Sequence, residues 1–398
     1  MLLRRHFWRH ATFSEIAELY ASRVLRMAAI QMSGAFIAIY LYQNGYSIAQ
    51  IAFYWAAFFG FKVLIALPAA ALVAQIGPKH GVLFSNLLYI PAMVGFVFLP
   101  VVGPAILIPI LIIEGISSSI YTTSYSVDFS KIKSLMHAGK EIGYMNIVDK
   151  VTAGLSPLVG GFIAFIFGPE VVIVVAATLF AFAASPLLRT GEPTRTHQRL
   201  HFRGFSWSLF RKHAVAQVAY GYDILVSGRA WSLFVAVVIV GVGGGDEVYA
   251  IVGTLLSVVF IVSFVTSYLF GQLIDAKRGA SLMQLSILGK AITHLVRPFV
   301  PTPLGAAGMN AVNETATTGY VMPYTRAIFD NADRSGNRIT YIGLTDAAAS
   351  FGAACAALVL GFIALSFSEE SSFSYAFIIA AGVVLLLLTA RFPLYRRR

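Results

Sequence analysis

The sequence predicts an all-α integral membrane protein of twelve transmembrane helices arranged as two pseudo-symmetric six-helix bundles. Three observations predict it. First, the 398 residues are 58% hydrophobic and only 12% charged, with a mean hydropathy of +0.77. So few charges cannot keep a whole outer surface in water, and that surface therefore faces lipid. Second, the apolar residues fall in runs such as 151–167, 171–188, 248–270 and 375–390, close to the roughly twenty residues that cross a hydrocarbon core of about 30 Å. Third, the segments between the runs alternate sharply in charge.

In chain order the spans cover 17–42, 48–74, 80–100, 104–128, 143–168, 170–189, 213–242, 247–271, 281–300, 303–328, 339–366 and 372–391. The first is preceded by Arg4, Arg5 and Arg9 but by no small-residue cleavage site after a short apolar core, so it reads as a retained end, not a signal peptide. Lysine and arginine then return in every second connection: at Lys79, between Lys131 and Lys140, across 190–212, at Lys277 and Arg278, at Arg334 and Arg338, and at Arg396 to Arg398. The intervening segments 43–47, 101–104, 168–170, 241–247, 300–304 and 366–372 carry none. Because cytoplasmic loops retain Lys and Arg, both termini are expected in the cytoplasm, in a multi-pass plasma (inner) membrane protein. The long hydrophilic stretch 190–212, with Pro193, is expected to link an N-terminal bundle (1–189) to a C-terminal one (213–398).

The net charge of +11 does not indicate a nucleic-acid partner, because the basic residues sit in these short loops and form no aromatic-basic stripe. A lone Cys355 gives no disulfide framework and no metal site. His294 stands isolated in span nine. No H-E-x-x-H, G-x-S-x-G or G-x-x-x-x-G-K-[ST] pattern occurs, so neither catalysis nor a nucleotide or other cofactor is expected. The glycine run 243–245 is a turn in a loop. Energy for any transport must come from an ion or solute gradient, and the chain is expected to act as a monomer.

Shifting the chain by about 200 residues exposes an internal repeat. Glu114 meets Glu314, each followed by small hydroxyl residues: Ser117, Ser118 and Ser119 against Thr315, Thr317 and Thr318. Tyr121 and Tyr125 meet Tyr320 and Tyr324, Asp149 meets Asp346, and Gly161-Phe-Ile-Ala recurs from Gly361. Two parallel six-span halves place a binding site near mid-membrane, on the axis between them.

In this architecture the chain resembles the major facilitator superfamily over nearly its whole length. That family carries G-x-x-x-D-R-x-G-R-R after its second span. Here Gly271-Gln-Leu-Ile-Asp275-Ala-Lys277-Arg278 stands after span eight; after span two the turn glycine Gly77 and the base Lys79 are present, but the acid position is Ala74. The exporter pattern G-P-x-x-G-G in span five is approached by Ser156-Pro157-Leu-Val-Gly160-Gly161. The arginine that many proton-coupled members hold in span four has no counterpart near Leu111. The resemblance implies that spans one and four of each half line a central cavity, and that Asp275 locks the cytoplasmic side, with Arg326 as its partner.

Within the spans lie Lys62, Lys150, Arg229, Lys290 and Arg297, with Glu114, Asp149, Asp223, Glu314 and Asp346. A charge at the bilayer centre costs at least about 2.5–3.5 kcal/mol, so each needs a partner, a cavity or a proton. At 1.5 Å per residue, Lys62, Glu114, Lys290 and Glu314 lie roughly 15 Å deep. Glu114 and Glu314 are the expected proton carriers. The competing reading makes them halves of fixed pairs, Glu114 with Lys62 and Glu314 with Lys290. Asp149 and Asp346 fit helix N-terminal or gating positions, and Asp223 and Arg229 either pair with each other or face the cavity separately. Ser117, Ser118, Tyr121, Asn310, Asn313, Thr317 and Tyr320 are the expected polar lining.

The expected function is therefore a secondary transporter of a small solute, working by alternating access, proton-coupled and with efflux preferred. The alternatives are an importer of a sugar or other polar nutrient and, from another class, a membrane-embedded lipid-handling protein.

Overall fold

In the computed structural model, which describes residues 13–132, 138–188, 197–241 and 245–395, twelve long helices run back and forth in antiparallel succession. The N-terminal arginines, the terminal ones, the first part of the linker and most of the glycine run fall outside the described residues. So does the middle of the stretch between Lys131 and Lys140. The helices are α1 Phe13–Gln43, α2 Ile48–Ile76, α3 Pro78–Val97, α4 Leu107–Ile132, α5 Ala138–Phe167 and α6 Pro169–Ala184. They continue as α7 Ala214–Leu225, α8 Glu247–Asp275, α9 Gly279–Val296, α10 Pro303–Arg334, α11 Arg338–Ala364 and α12 Glu369–Val384.

Ten of these, among the described residues, are long and apolar enough to cross a membrane by length and composition alone. The other two, α9 and α10, carry Lys290, His294, Asn310, Asn313 and Glu314, which lower their hydropathy. All five side chains are buried or half-buried among other helices instead of facing lipid, so the polarity that weakens the hydropathy signal does not prevent spanning. Large apolar side chains such as Leu64, Leu285 and Phe362 stand exposed on the outside, as lipid contact requires.

Helix ends follow local chemistry. Ser47 and Gln50 cap the start of α2 reciprocally, and Thr302 and Ser368 accept from the backbone N–H groups of Gly305 and Ser371 at the starts of α10 and α12. The tight turns of the loops without Lys or Arg sit on Gly45, Gly103, Gly168 and Gly241, all with positive φ. α7 does not stay α-helical: it widens into π turns at Val226–Ala230 and Val235–Val240, on either side of Trp231–Phe234.

The two halves meet along α2 with α11 and α5 with α8. Added side-chain bulk would break the second contact, since a Cβ on Gly161 would fall on the Tyr249 carbonyl and one on Gly253 on the Pro157 carbonyl. Gly160 instead faces Met32 of α1. Small residues thus serve close helix approach. One apolar core, including Phe36, Trp55, Phe234, Tyr249 and Phe373, joins helices of both halves at the end away from the basic loops. Beside it Tyr42 donates to Glu369 at 2.9 and 3.0 Å, and Gln43 accepts from Tyr249 and donates to the Gly245 carbonyl at 3.3 Å.

Candidate functional site

Towards the basic end from that closure, a cavity of about 420 Å³ opens between α1, α2, α4, α7 and α10. It is bounded by Arg23, Arg26, Lys62, Glu114, Asp149 and Arg229, interleaved with Phe58, Phe59, Tyr89, Tyr121, Tyr125 and Tyr220. A second space of about 170 Å³ shares Thr122, Ser126, Tyr220 and Thr325 with it and reaches Asp346. A third, of about 320 Å³, lies among Gln198 to His201 and Gly336 to Thr340, at the basic loops. The cavities therefore descend in a row from mid-helix to the basic end.

Each charge on the wall has a definite environment. Arg23 grips Asp149 through Nε and Nη2 at 2.7 and 2.6 Å, donates to the Tyr121 hydroxyl at 3.2 Å, and lies 3.7 Å from the Tyr125 ring centroid. The bidentate geometry fixes both planes. Arg26, only 1% exposed, donates to Asn86 at 2.7 Å and stacks 3.8 Å over Tyr121, while its buried Nε has no partner among the described residues. Glu114 accepts a 2.7 Å hydrogen bond from Tyr89 and pairs with no cation among the described residues. Lys62 pairs with Asp346 across the halves at 3.5 Å. Arg229 lies in the first π turn of α7, its guanidinium carbon 5.1 Å from the ring centroids of both Phe58 and Phe59.

The C-terminal half holds a separate buried network. Asp223 accepts from His294 at 2.7 Å, from Ser227 at 2.9 Å and from Tyr320, with Lys290 at 3.6 Å. Lys290 donates to Asn313 and, at 2.7 Å, to Thr317. Arg297 donates to Asn313 at 2.9 Å and to His294 Nδ1 at 3.2 Å. A guanidinium can only donate, so Nδ1 of His294 accepts and its Nε2 carries the proton towards Asp223. Asn310 accepts from Trp231 at 2.6 Å and donates to the Leu255 carbonyl at 2.9 Å.

Several sequence-based pairings are corrected by this geometry. Glu114 is not bound to Lys62, nor Glu314 to Lys290. Glu314 instead meets Lys150 from the other half at 2.9 Å and accepts from Thr318 at 2.6 Å. Asp223 and Arg229 do not pair with each other, and His294 is not isolated. Of the expected polar lining, Ser118 and Tyr121 reach the cavity wall. Ser117 donates to the Ser85 carbonyl at 2.7 Å, and Asn310, Asn313, Thr317 and Tyr320 belong to the second network. The reason is common to all: spacing along a helix fixes depth but leaves the direction around the axis to packing.

Arg23 and Arg26 escape the sequence reading because they stand close to the N-terminal bases Arg4, Arg5 and Arg9, next to the expected cytoplasmic end of the first span. A signal was available: Arg23 stands at the same offset of 200 from Asp223 that relates Glu114 to Glu314.

At the loops, Gly77 turns at φ 92° and Lys79 bonds Glu18 at 3.0 Å. Gly271 is buried in the last turns of α8, and Lys277 closes that helix at φ 62°. Arg326 donates to the Ile274 carbonyl at 3.2 Å and lies 3.5 Å from Asp275. In the first half, where the acid is absent, the linker itself docks: the N–H of Gln198 meets the Ala74 carbonyl at 2.9 Å and that of His197 meets the Gln75 carbonyl at 2.8 Å.

The sequence pattern of the Major Facilitator Superfamily matches residues 19–311. No curated protein matches the chain in sequence. Among solved structures, the human organic anion transporter MFSD10 (TETRAN) superposes with a TM-score of 0.65 at 12% identity, over 96% of this chain and 100% of that one. The E. coli fucose:proton symporter FucP superposes with a TM-score of 0.66 at 14% identity, over 95% of this chain and 98% of that one. At such identities the likeness is one of fold.

Proposed function

The chain belongs to the major facilitator superfamily, and from that premise we propose that it moves a small solute by alternating access, coupled to protons. The observation that carries the reading is the row of cavities between the halves, closed at one end by Tyr42, Gln43, Glu369 and Tyr249 and continuing to the basic end. A solute held mid-membrane, with one end shut, is half of an alternating-access cycle.

Glu114 is the proposed proton carrier. Among the described residues it is bonded by a neutral tyrosine hydroxyl and makes no ion pair, so a proton on it breaks no salt bridge. Glu314 is the weaker candidate, because Lys150 already neutralises it. Export is the preferred direction, on the likeness of Pro157, Gly160 and Gly161 to the family's exporter pattern. The boundaries 1–189, 190–212 and 213–398, a plasma-membrane location, cytoplasmic termini and a monomer complete the proposal.

The test uses purified protein in liposomes containing a pH-sensitive dye. Sugars, organic anions and organic cations are added in turn under an imposed pH gradient. At least one solute should move in the wild type and carry a proton signal that disappears in Glu114→Gln. Solute movement with no proton signal ends the coupling, and no movement of any class ends the transport reading.

A further inference from the structure

The charges around the cavity do not balance. Arg23 and Lys62 are each matched by a carboxylate, Asp149 and Asp346. Arg26 and Arg229 share one remaining carboxylate on the wall, Glu114, and among the described residues neither bonds to it or to another acid. Both lie against aromatic rings instead: Arg26 against Tyr121 and Tyr89, Arg229 beside the edge-to-face pair Phe58 and Phe59. A ring face stabilises a guanidinium without occupying its N–H edge. The edge stays available for a planar oxyanion, which a guanidinium binds with two parallel hydrogen bonds.

The backbone supports the same assignment. Arg229 sits in a π turn, Val226–Ala230, in the interior of a membrane helix. Such a turn costs regular hydrogen bonding and recurs where a helix must re-aim a side chain at a functional site. A half-buried arginine with no carboxylate partner among the described residues is costly at this depth, and an anionic ligand would offset that cost.

We propose that the cavity takes an organic anion whose carboxylate docks on Arg229, with Arg26 adding long-range attraction, and whose apolar, ring-bearing body lies among Phe58, Phe59, Tyr121 and Tyr220. A volume of about 420 Å³ lies within the usual range of sites for such compounds. A neutral sugar would leave the surplus positive charge unanswered, and an organic cation would meet it as repulsion. The assignment rests on reading this cavity as the transport site.

The probe is 2-naphthoate, with 2-naphthamide as its neutral isostere, 2-naphthylmethylammonium as the cation and L-fucose as the sugar. Melting temperature is followed in detergent, and counterflow of each labelled compound is followed in liposomes. Naphthoate should raise the melting temperature with concentration, and the other three should not. Arg229→Gln should weaken naphthoate binding about tenfold or more, Arg229→Lys should retain part of it, and Arg391→Gln, exposed beyond the last helix, should change nothing. The discrimination between acid and amide in the wild type stands as a test even if Arg229→Gln does not fold. Equal stabilisation by acid and amide overturns the proposal. So does preference for the cation or the sugar, unchanged binding in a folded Arg229→Gln, or no response to naphthoate and to a panel of smaller aryl carboxylates. Naphthoate that binds through Arg229 without counterflow upholds the anion site and ends the reading of this cavity as the transport site; counterflow of only sugar or cation upholds transport and ends the anion site.

Discussion

At the scale of single residues, Glu114 and Glu314 differ although the repeat superposes them. Among the described residues Glu114 accepts from Tyr89 alone, whereas Glu314 holds Lys150 from the opposite half. Glu114→Gln should therefore keep its hydrogen bond to the tyrosine, melt near the wild-type temperature, and lose only gradient-driven accumulation while exchange persists. Glu314→Gln strands a lysine. The expected loss is about 2–3 kcal/mol, below the figure for a fully buried pair because Lys150 keeps 21% of its side chain exposed. Adding Lys150→Met should restore most of that stability. Purified variants compared by melting temperature, exchange and pH-driven uptake separate the two; wild-type accumulation by Glu114→Gln would remove it from the coupling path. These partners were beyond the sequence. The depth of each carboxylate was legible from its place in a span, but which neighbour it faces depends on how helices rotate when they pack. Lys62 shows the same limit, since its depth matches Glu114 while its side chain points to Asp346 on α11.

At the scale of elements, the spans were legible because lipid imposes length and charge exclusion together. The limits are instructive at α9 and α10, whose hydropathy alone does not mark them; the alternation of basic and non-basic loops is what required both. The π turns of α7 left no trace in the apolar pattern, because a single widened turn shifts the helical phase by less than the pattern resolves. The fifth-span glycines were legible as small residues but not as to which helix each one serves. Gly161 meets the α8 backbone and Gly160 meets Met32 of α1. A leucine at Gly161 must push α5 from α8, an overpacking cost of about 1–3 kcal/mol, and should lower both melting temperature and transport. Gly160→Ala, whose nearest contact is a methionine side chain, should be milder on both measures. If Gly161→Leu melts and transports as the wild type does, the α5–α8 contact is not a constraint on the cycle.

At the scale of the whole molecule, the repeat at about 200 residues made two related halves legible, and with them a site on the axis between. It did not show that the halves carry different chemistry. The first places arginines on α1 and an acid on α4, all on the cavity wall, while the second places Asp223 on α7 and its bases on α9 in a closed network and gives the cavity Tyr220 and Arg229. Alternation requires the end sealed by Tyr42 and Glu369 to part once per cycle, since these residues join the first helix of one half to the last helix of the other. Cysteines at Tyr42 and Glu369, in a Cys355→Ala background, should be bridged by a short, cleavable, membrane-impermeant bis-thiol reagent added to intact cells. Bridging should stop transport, and cleavage should restore it. A third cysteine at Ser126, on the cavity wall towards the basic end, should remain reactive in inside-out vesicles while the bridge holds, because that path does not pass the seal. Transport that survives complete bridging means the sealed end never opens. Bridging only in inside-out vesicles reverses the orientation, placing the basic loops outside.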